Sequence, residues 1–252
     1  MVFVRVYAFV IVVFLAAACS LNAQILSGSF EGDPNMLLDP NGPWDTNGVP
    51  ALILETFSPK NHGCINADVN ELIPVDGHFF VLLSSGNGSV YAELTQVIDV
   101  NAGQTITGAY FFATSDYIDS GRPGYWFDWA TITLEDPCSV HPDILLAKKD
   151  VNDVASYGSM ERWGIFSHDV NEAEAGRYKL VLFISNFGDE NLASYLAVDA
   201  LRVVTGTPEP LCIYQLAGDI NRDCRVDFLD FAMMAENWLI DCNVEPPDLA
   251  CK

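Results

Sequence analysis

The chain has 252 residues, with 34 acidic residues against 12 Lys and Arg, and its formal net charge is −22. Nucleic acids and anionic membrane surfaces bind proteins through basic patches, so this charge argues against both as partners. The same charge is typical of a protein that stays soluble outside the cell.

Residues 1–23 are predicted to be a secretion signal. Arg5 is followed by an uncharged, mainly apolar run at residues 6–18, which is shorter than the ~20 residues that a membrane-spanning helix needs. Two endings are open: LNA at residues 21–23 suits an ordinary signal peptidase, whereas AAAC at residues 16–19 resembles a lipoprotein box that would lipidate Cys19. In both cases we expect a protein that is secreted or held at the cell surface, and no other stretch could span a membrane.

Residues 24–204 are predicted to form one β domain. Short β-branched and aromatic runs alternate with clusters of Gly, Pro, Asn and Asp, which is the pattern of strands joined by turns. The candidate strands lie at residues 51–57, 79–83, 90–98, 105–114, 126–135, 144–148, 163–169, 177–186 and 196–204. The expected fold class is mainly β: a two-sheet jelly-roll β-sandwich, followed by a small calcium loop–helix module.

Aromatic residues cluster at residues 116–129, beside several Asp and Arg side chains. Aromatic rings stack on the apolar face of a sugar ring, and neighbouring polar groups hydrogen-bond its hydroxyls. The candidate ligand-binding residues are therefore Tyr117, Tyr125, Trp126 and Trp129. Alternation along the strand puts Trp126 and Trp129 on opposite faces, but it does not tell which face is open to solvent.

Six cysteines remain once Cys19 is set aside: Cys64, Cys138, Cys212, Cys224, Cys242 and Cys251. An even number in a secreted chain indicates disulfides. The simplest pairing joins Cys64 to Cys138 and leaves the other four to pair among themselves.

Beyond a Pro-containing linker at residues 205–210, oxygen-bearing residues recur with a fixed spacing. Positions 1, 3, 5, 9 and 12 of a twelve-residue loop are Asp219, Asn221, Asp223, Asp227 and Asp230, and the backbone carbonyl of Arg225 stands at position 7. Calcium takes several oxygen ligands, and this is the ligand spacing of a calcium loop. An amphipathic helix is predicted directly after it, because apolar residues follow at helical spacing.

Position 6 of this loop is Cys224, where Gly is usual because the turn needs a positive φ. A Cys there is expected to cost stability unless something holds it. Cys242, just beyond the helix, is a plausible disulfide partner.

The segment at about residues 216–239 resembles a type I dockerin, a calcium module that attaches secreted bacterial proteins to cohesin partners. The resemblance rests on the ligand spacing, on Asp230 at position 12 and on a helix that begins within the loop. It implies calcium as cofactor, a dockerin-like module over residues 211–252 and a cohesin-like protein partner. It also assigns partner contact to Phe228 and Leu229, of which one is expected to pack inside. Dockerins normally carry two such loops, and this chain shows one.

Short motifs from GSFE at residues 28–31 to VDALRV at residues 198–203 resemble those of galactose-binding-like jelly rolls, which include many carbohydrate-binding modules. In that family the opening Glu and the closing Asp often hold a structural calcium, which implies a second metal site at Glu31 and Asp199. The alternative is two carboxylates that are solvated or separately hydrogen-bonded.

Three functions are open on this basis. The first is a secreted, non-catalytic accessory protein that binds extracellular polysaccharide or assists in its breakdown. The second is a structural surface protein whose sandwich binds no glycan. The third is a polysaccharide-cleaving hydrolase or lyase with an unrecognised site, although no serine-hydrolase, metalloprotease or phosphate-loop motif is present.

Overall fold

The structure is a computed structural model, and it describes residues 25–31, 42–46, 51–86, 90–118, 128–186, 192–213, 218–220 and 224–237. The predicted signal, including Cys19, lies outside these residues. So do Tyr125, Trp126, Asn221, Asp223, Cys242 and Cys251. Within the described ranges, no helix has both the length and the apolar character needed to cross a bilayer.

Nine strands, all paired antiparallel, are the main elements of the described chain. They are β1 (Leu52–Leu54), β2 (Phe80–Ser84), β3 (Tyr91–Val100), β4 (Gln104–Thr114), β5 (Trp129–Glu135), β6 (Ile144–Asp150), β7 (Gly164–Asp169), β8 (Gly176–Ser185) and β9 (Ser194–Thr205). The helices are a 3-10 turn at Pro59–His62, α1 at Val151–Val154 and α2 at Phe228–Asn237. The predicted mainly β fold class is confirmed, because each of the nine candidate strands overlaps an observed one.

The strands form two packed sheets. One has five strands in the order β1-β2-β9-β4-β7, and the other has four in the order β3-β8-β5-β6. Side chains alternate between the faces of a strand, and β8 shows the result: Tyr178, Leu180 and Leu182 are buried between the sheets, while Phe183 points to the opposite, outer face. The main core therefore consists of the inner faces of both sheets.

The outer face of the five-stranded sheet is covered by the long connection between β1 and β2. We call residues 57–79 of this connection the cap. Its buried residues Phe57, Cys64, Leu72 and Val75 join sheet residues such as Phe80, Phe111 and Ala197 in a second hydrophobic cluster. The indole nitrogen of Trp163 donates a hydrogen bond to the carbonyl of Ile73 at 2.8 Å, which fixes the cap further. The outer face of the four-stranded sheet has no such cover within the described residues.

A bulge interrupts the pairing of β4 with β9. The register shifts between Thr107 and Ala109, and Ala200 on β9 has a left-handed backbone with φ of 53°. Gly108 stands at the shift, and a Cβ placed there would lie 2.6 Å from a methyl carbon of Leu201. A side chain at this point of the sheet would therefore have to displace the packed side chains of Leu201 and Phe166.

The predicted bridge between Cys64 and Cys138 is wrong, because both thiols are free. Cys64 is buried under the cap on the five-stranded sheet, whereas Cys138 is exposed in the turn between β5 and β6 of the other sheet. Burial raises the pKa of the Cys64 thiol to about 12. Cys212 and Cys224 do form a disulfide, so the partner of Cys224 is Cys212 and not Cys242.

Candidate functional site

Three aromatic side chains form a row across the outer face of the four-stranded sheet. Tyr91 on β3 and Trp129 on β5 both pair with Ser185 on β8, so they stand on the same face, one strand away on either side. Phe183 lies between them, with its ring centroid 5.7 Å from that of Tyr91 and 4.9 Å from that of Trp129. Tyr91 is 44% exposed, and the other two residues are half-buried. This aromatic row is a continuous apolar strip that faces solvent.

Polar side chains border the aromatic row on the same face. The register places Glu93 and Thr131 opposite Phe183 on its two neighbouring strands, and it places Asp150 opposite Trp129 on β6. Residues paired across strands share a face of the sheet. Two carboxylates and a hydroxyl therefore flank the rings, and each can hydrogen-bond a hydroxyl-rich ligand.

The other half of this face has a different chemistry. Lys179 and Glu135 form an ion pair at 3.0 Å, and Arg177 lies 3.8 Å from Asp99. The hydrogen bond to Glu135 raises the pKa of Lys179. These charges partner one another beside the exposed Val97, so the ligand-binding chemistry of the face is concentrated around the aromatic row.

A buried chain of hydrogen bonds fixes the start of β5, one residue before Trp129. The hydroxyl oxygen of Ser194 lies 2.6 Å from a carboxylate oxygen of Asp128 and 2.7 Å from the hydroxyl oxygen of Thr114. A hydroxyl has one hydrogen, so Ser194 donates to Asp128 and accepts from Thr114. Thr114 in turn accepts a hydrogen bond from the backbone N–H of Asp116 at 2.9 Å. Because Asp128 turns inward, Trp129 turns outward.

The predicted ligand-binding residues do not all meet at one place. Trp129 belongs to the aromatic row. Tyr117 is exposed but stacks on Tyr157, with ring centroids 6.1 Å apart, and is not part of the row. Tyr125 and Trp126 lie outside the described residues.

Sequence reasoning missed Tyr91 and Phe183. The two residues are far apart in the chain, and only strand pairing brings them together. The alternation of side chains between the two faces of a strand could have identified Phe183, because it places Phe183 on the opposite face from Leu182. A large aromatic residue on an outer face suggests a contact surface.

The proposed second metal ligands, Glu31 and Asp199, both hold the end of the cap, but through backbone amides. One oxygen of Glu31 accepts hydrogen bonds of 2.7 and 3.0 Å from the N–H groups of His78 and Phe79. Asp199, which is 0% exposed, accepts bonds of 2.8, 3.1 and 2.6 Å from the N–H groups of Val75, Asp76 and Ala200. Burial raises the pKa of Asp199 to about 7, although these N–H bonds act in the opposite direction. This geometry fits two separately hydrogen-bonded carboxylates better than a metal site.

The C-terminal loop folds around two carboxylates. Asp230 is 2% exposed, and its two oxygens accept hydrogen bonds from the N–H groups of Ile220 at 2.6 Å and Asp227 at 2.8 Å. Asp219 accepts a bond from the N–H of Cys224 at 3.0 Å. Two acidic side chains from opposite ends of the loop are thus turned inward by its own backbone.

The described part of the predicted calcium set is Asp219, Arg225, Asp227 and Asp230. Its carboxylates and backbone carbonyl are the all-oxygen chemistry that calcium prefers, so these residues fit that ion. Within the described ranges no three acidic, His or Cys side chains gather into a metal-sized cluster. Two of the six predicted ligands, Asn221 and Asp223, lie outside those ranges.

Helix α2 exposes its apolar residues. Phe228 is 87% exposed and Leu229 is 61% exposed, so the expectation that one of them packs inside is wrong. The reason is that, among residues 228–235, the helix turns Asp230 inward, toward the loop, while Phe231, Met233 and Met234 are also exposed.

No protein-family model matches the chain, and no curated protein matches it. Solved structures resemble it at low identity. TmCBM61 in complex with beta-1,4-galactotriose is 12% identical, with a TM-score of 0.39 over 72% of this chain and 97% of that one. A cyclase from Fischerella sp. is 14% identical, with a TM-score of 0.38 over 71% and 93%. The C-terminal family 22 carbohydrate binding module of Clostridium thermocellum Xyn10B is 15% identical, with a TM-score of 0.34 over 72% and 92%. Similarity at this level carries no information about the ligand, which depends on the side chains described above.

Proposed function

We propose that the chain is a secreted, non-catalytic accessory protein that binds polysaccharide through its sandwich and calcium through its C-terminal loop. The observation that carries the first part is the aromatic row of Tyr91, Phe183 and Trp129 on the one broad sheet face that is uncovered in the described chain. Secretion is supported by the signal-like residues 1–23.

The shape of the aromatic row favours a long ligand over a small one. It crosses three neighbouring strands, which are about 4.8 Å apart, so it is on the order of 10 Å long. It lies on an open sheet face, where a polysaccharide chain can lie across the strands with its ends free. Apolar rings would contact the C–H faces of successive sugars, and Glu93, Thr131 and Asp150 would accept hydrogen bonds from their hydroxyls.

A binding assay on glycan arrays and insoluble polysaccharides tests this surface. We expect the full chain to bind at least one glycan, and Trp129→Ala and Tyr91→Ala to weaken that binding at least about fivefold, since an exposed aromatic contact contributes about 1–3 kcal/mol. Val97→Ala is the matched control, because Val97 is on the same strand and face as Tyr91 but beyond the aromatic row. It should bind like the wild type.

Two results would contradict the glycan-binding proposal. If the protein bound no glycan, a structural surface protein would be the better interpretation of its function. Release of reducing sugar or of unsaturated product from a bound polysaccharide would show an enzyme instead of a non-catalytic protein.

The second part of the proposal is that the loop at residues 219–230 binds calcium. Its support is the inward-turned pair Asp219 and Asp230 together with the oxygen-bearing residues at alternate positions between them. A bound divalent cation would neutralise these two inward-turned carboxylates in a strongly acidic chain. Calcium would then order the segment, and its removal would loosen it.

Calorimetric titration of calcium into the chelator-treated full chain tests the loop. We expect one calcium to bind at this loop, Asp219→Asn to weaken it at least tenfold, and Glu172→Gln, which removes one exposed charge elsewhere, to leave it unchanged. Circular dichroism should show a gain of helix on calcium addition. No heat of binding together with an unchanged spectrum would refute the calcium module.

We further propose that the exposed helix α2 contacts a cohesin-like protein partner through Phe228 and Leu229. Their exposure supports this role, because Phe231, Met233 and Met234 are exposed on the same helix, and neighbouring exposed apolar side chains are typical of a contact surface. A paired substitution, Phe228→Ser with Leu229→Ser, should abolish capture by a cohesin while calcium binding is retained.

A further inference from the structure

Cys224 is held in a backbone conformation that few residues other than glycine adopt. Its φ is 66°, in the left-handed region that disfavours side chains with a Cβ. The conformation matters to the loop, because it aims the N–H of Cys224 at the carboxylate of Asp219, 3.0 Å away. In the twelve-residue loop this is position 6, where the chain must turn sharply.

The disulfide connects this turn to the sandwich. Cys224 is bonded to Cys212, with the two Cα atoms 5.1 Å apart. The neighbours of Cys212 in the chain, Leu211 and Ile213, both pack against the hydrophobic cluster under the cap. Glu209 lies just before these residues in the chain, and its backbone carbonyl accepts a hydrogen bond of 2.9 Å from Arg202 on β9. One end of the bridge is therefore anchored on the folded domain.

We propose that the Cys212–Cys224 disulfide is a positioning element of the calcium site, which does the work that glycine does in loops of this kind. The bridge holds Cys224 in the left-handed turn, the turn directs its N–H to Asp219, and Asp219 is thereby set in place for the ion. This inference rests on the proposed calcium function and names the residues that prepare the loop for it. Without the bridge we expect a loss of calcium affinity, because the residue at position 6 is then free to leave the left-handed turn.

Two double variants separate the bridge from the turn. Cys212→Ser with Cys224→Ser removes the bridge and leaves a non-glycine residue at position 6. Cys212→Ser with Cys224→Gly removes the same bridge but supplies the residue that adopts a positive φ without strain. Neither variant creates an unpaired thiol from this bridge that could react with Cys242 or Cys251. Calcium is titrated calorimetrically into each full chain, and thermal unfolding of the sandwich is recorded in the same samples.

We expect the Ser/Ser variant to bind calcium on the order of tenfold more weakly than the wild type, and the Ser/Gly variant to recover most of that loss. Sandwich unfolding should be the same in both variants, so the difference in calcium affinity between them would come from the turn at position 6 and not from a loss of sandwich stability. Wild-type affinity in the Ser/Ser variant would overturn the proposal, and so would equal weakening in the two variants. Absence of calcium binding in the wild type would instead overturn the calcium module itself, and this role with it.

Discussion

At the scale of single residues, buried polar side chains decide where the exposed ones point. Ser194 is fully buried and joins Asp128 to Thr114, three residues that lie on or beside three different strands. A buried carboxylate needs such donors, because it has left water. The outward direction of Trp129 is a by-product of this inward bonding.

Replacement of Ser194 by Ala tests that hydrogen-bond chain. It removes one donor from Asp128 and one acceptor from Thr114, so we expect the free energy of unfolding in urea to fall by about 1–3 kcal/mol. Ser167→Ala is the control, because Ser167 is on the exposed face of β7, and its stability should stay within about 0.5 kcal/mol of the wild type. If the Ser194→Ala protein were as stable as the control, the hydrogen bonds that join Asp128, Ser194 and Thr114 would not contribute to stability.

Cys224 shows how far residue-level reasoning reaches. Its place in the loop predicted a positive φ and the need for a partner, and the structure has both, with φ of 66° and a disulfide. The identity of the partner could not be derived. Pairing depends on which cysteine is near in space, and the sequence suggested Cys242, whereas the described structure has Cys212.

At the scale of elements, the sequence was enough to predict the strands but not their order within the two sheets. Runs such as residues 178–184 alternate with period two and are bounded by turn residues, so local chemistry was enough to predict them. The neighbours of a strand depend on contacts distant in sequence: β2 pairs with β9 through Leu82 and Ala197. The aromatic row is a product of such pairing, which is why it was only partly predictable.

Gly108 allows a test of the bulge between β4 and β9. A methyl group at this position would lie 2.6 Å from Leu201 and 2.9 Å from Phe166, so Gly108→Ala must displace packed core side chains. We expect a loss of about 1–3 kcal/mol in the free energy of unfolding. Gly176→Ala is the matched control, since its added methyl meets His141 at an ordinary 3.4 Å. Similar stability of the two variants would show that the sheet yields at the bulge.

At the scale of the whole molecule, the cap turns a two-layer sandwich into one with a covered side and an open side. The sequence of the cap has few features of a strand, so it was predicted to be mainly a connection. Its packing on the five-stranded sheet could not be predicted from local sequence pattern. Asp199 ties the end of the cap to β9 through Val75 and Asp76. This buried carboxylate is thus one of the groups that hold the cap on the sheet, together with Glu31 and Trp163.

The pH dependence of stability should report on Asp199. The pKa of Asp199 is about 7 in the folded protein, against an ordinary value of 3.8 for this side chain, so the folded state holds a proton that the unfolded state releases. This contribution is fully present below about pH 4 and is lost as the pH rises through about 7, with a total change on the order of 4 kcal/mol. Chemical unfolding in chelator at several pH values, for the wild type and for Asp199→Asn, measures it.

The Asn side chain does not titrate, so Asp199→Asn should lose that part of the pH dependence. Asp99→Asn on the outer face, where the carboxylate is half exposed, should keep the wild-type profile. If the Asp199→Asn profile also parallels the wild type between about pH 4 and 7, Asp199 is ionised throughout this range in the folded protein.

Leu211 and Ile213 carry the chain away from the sandwich along its capped side, and the aromatic row faces the other way. If the C-terminal helix binds a partner as proposed, the aromatic row would therefore face away from that partner and stay open to a polysaccharide. Two ligands could then be held at once without competing for surface. If both proposed ligands belonged to one assembly, the second binding event would become intramolecular, a gain in avidity that requires no new contact.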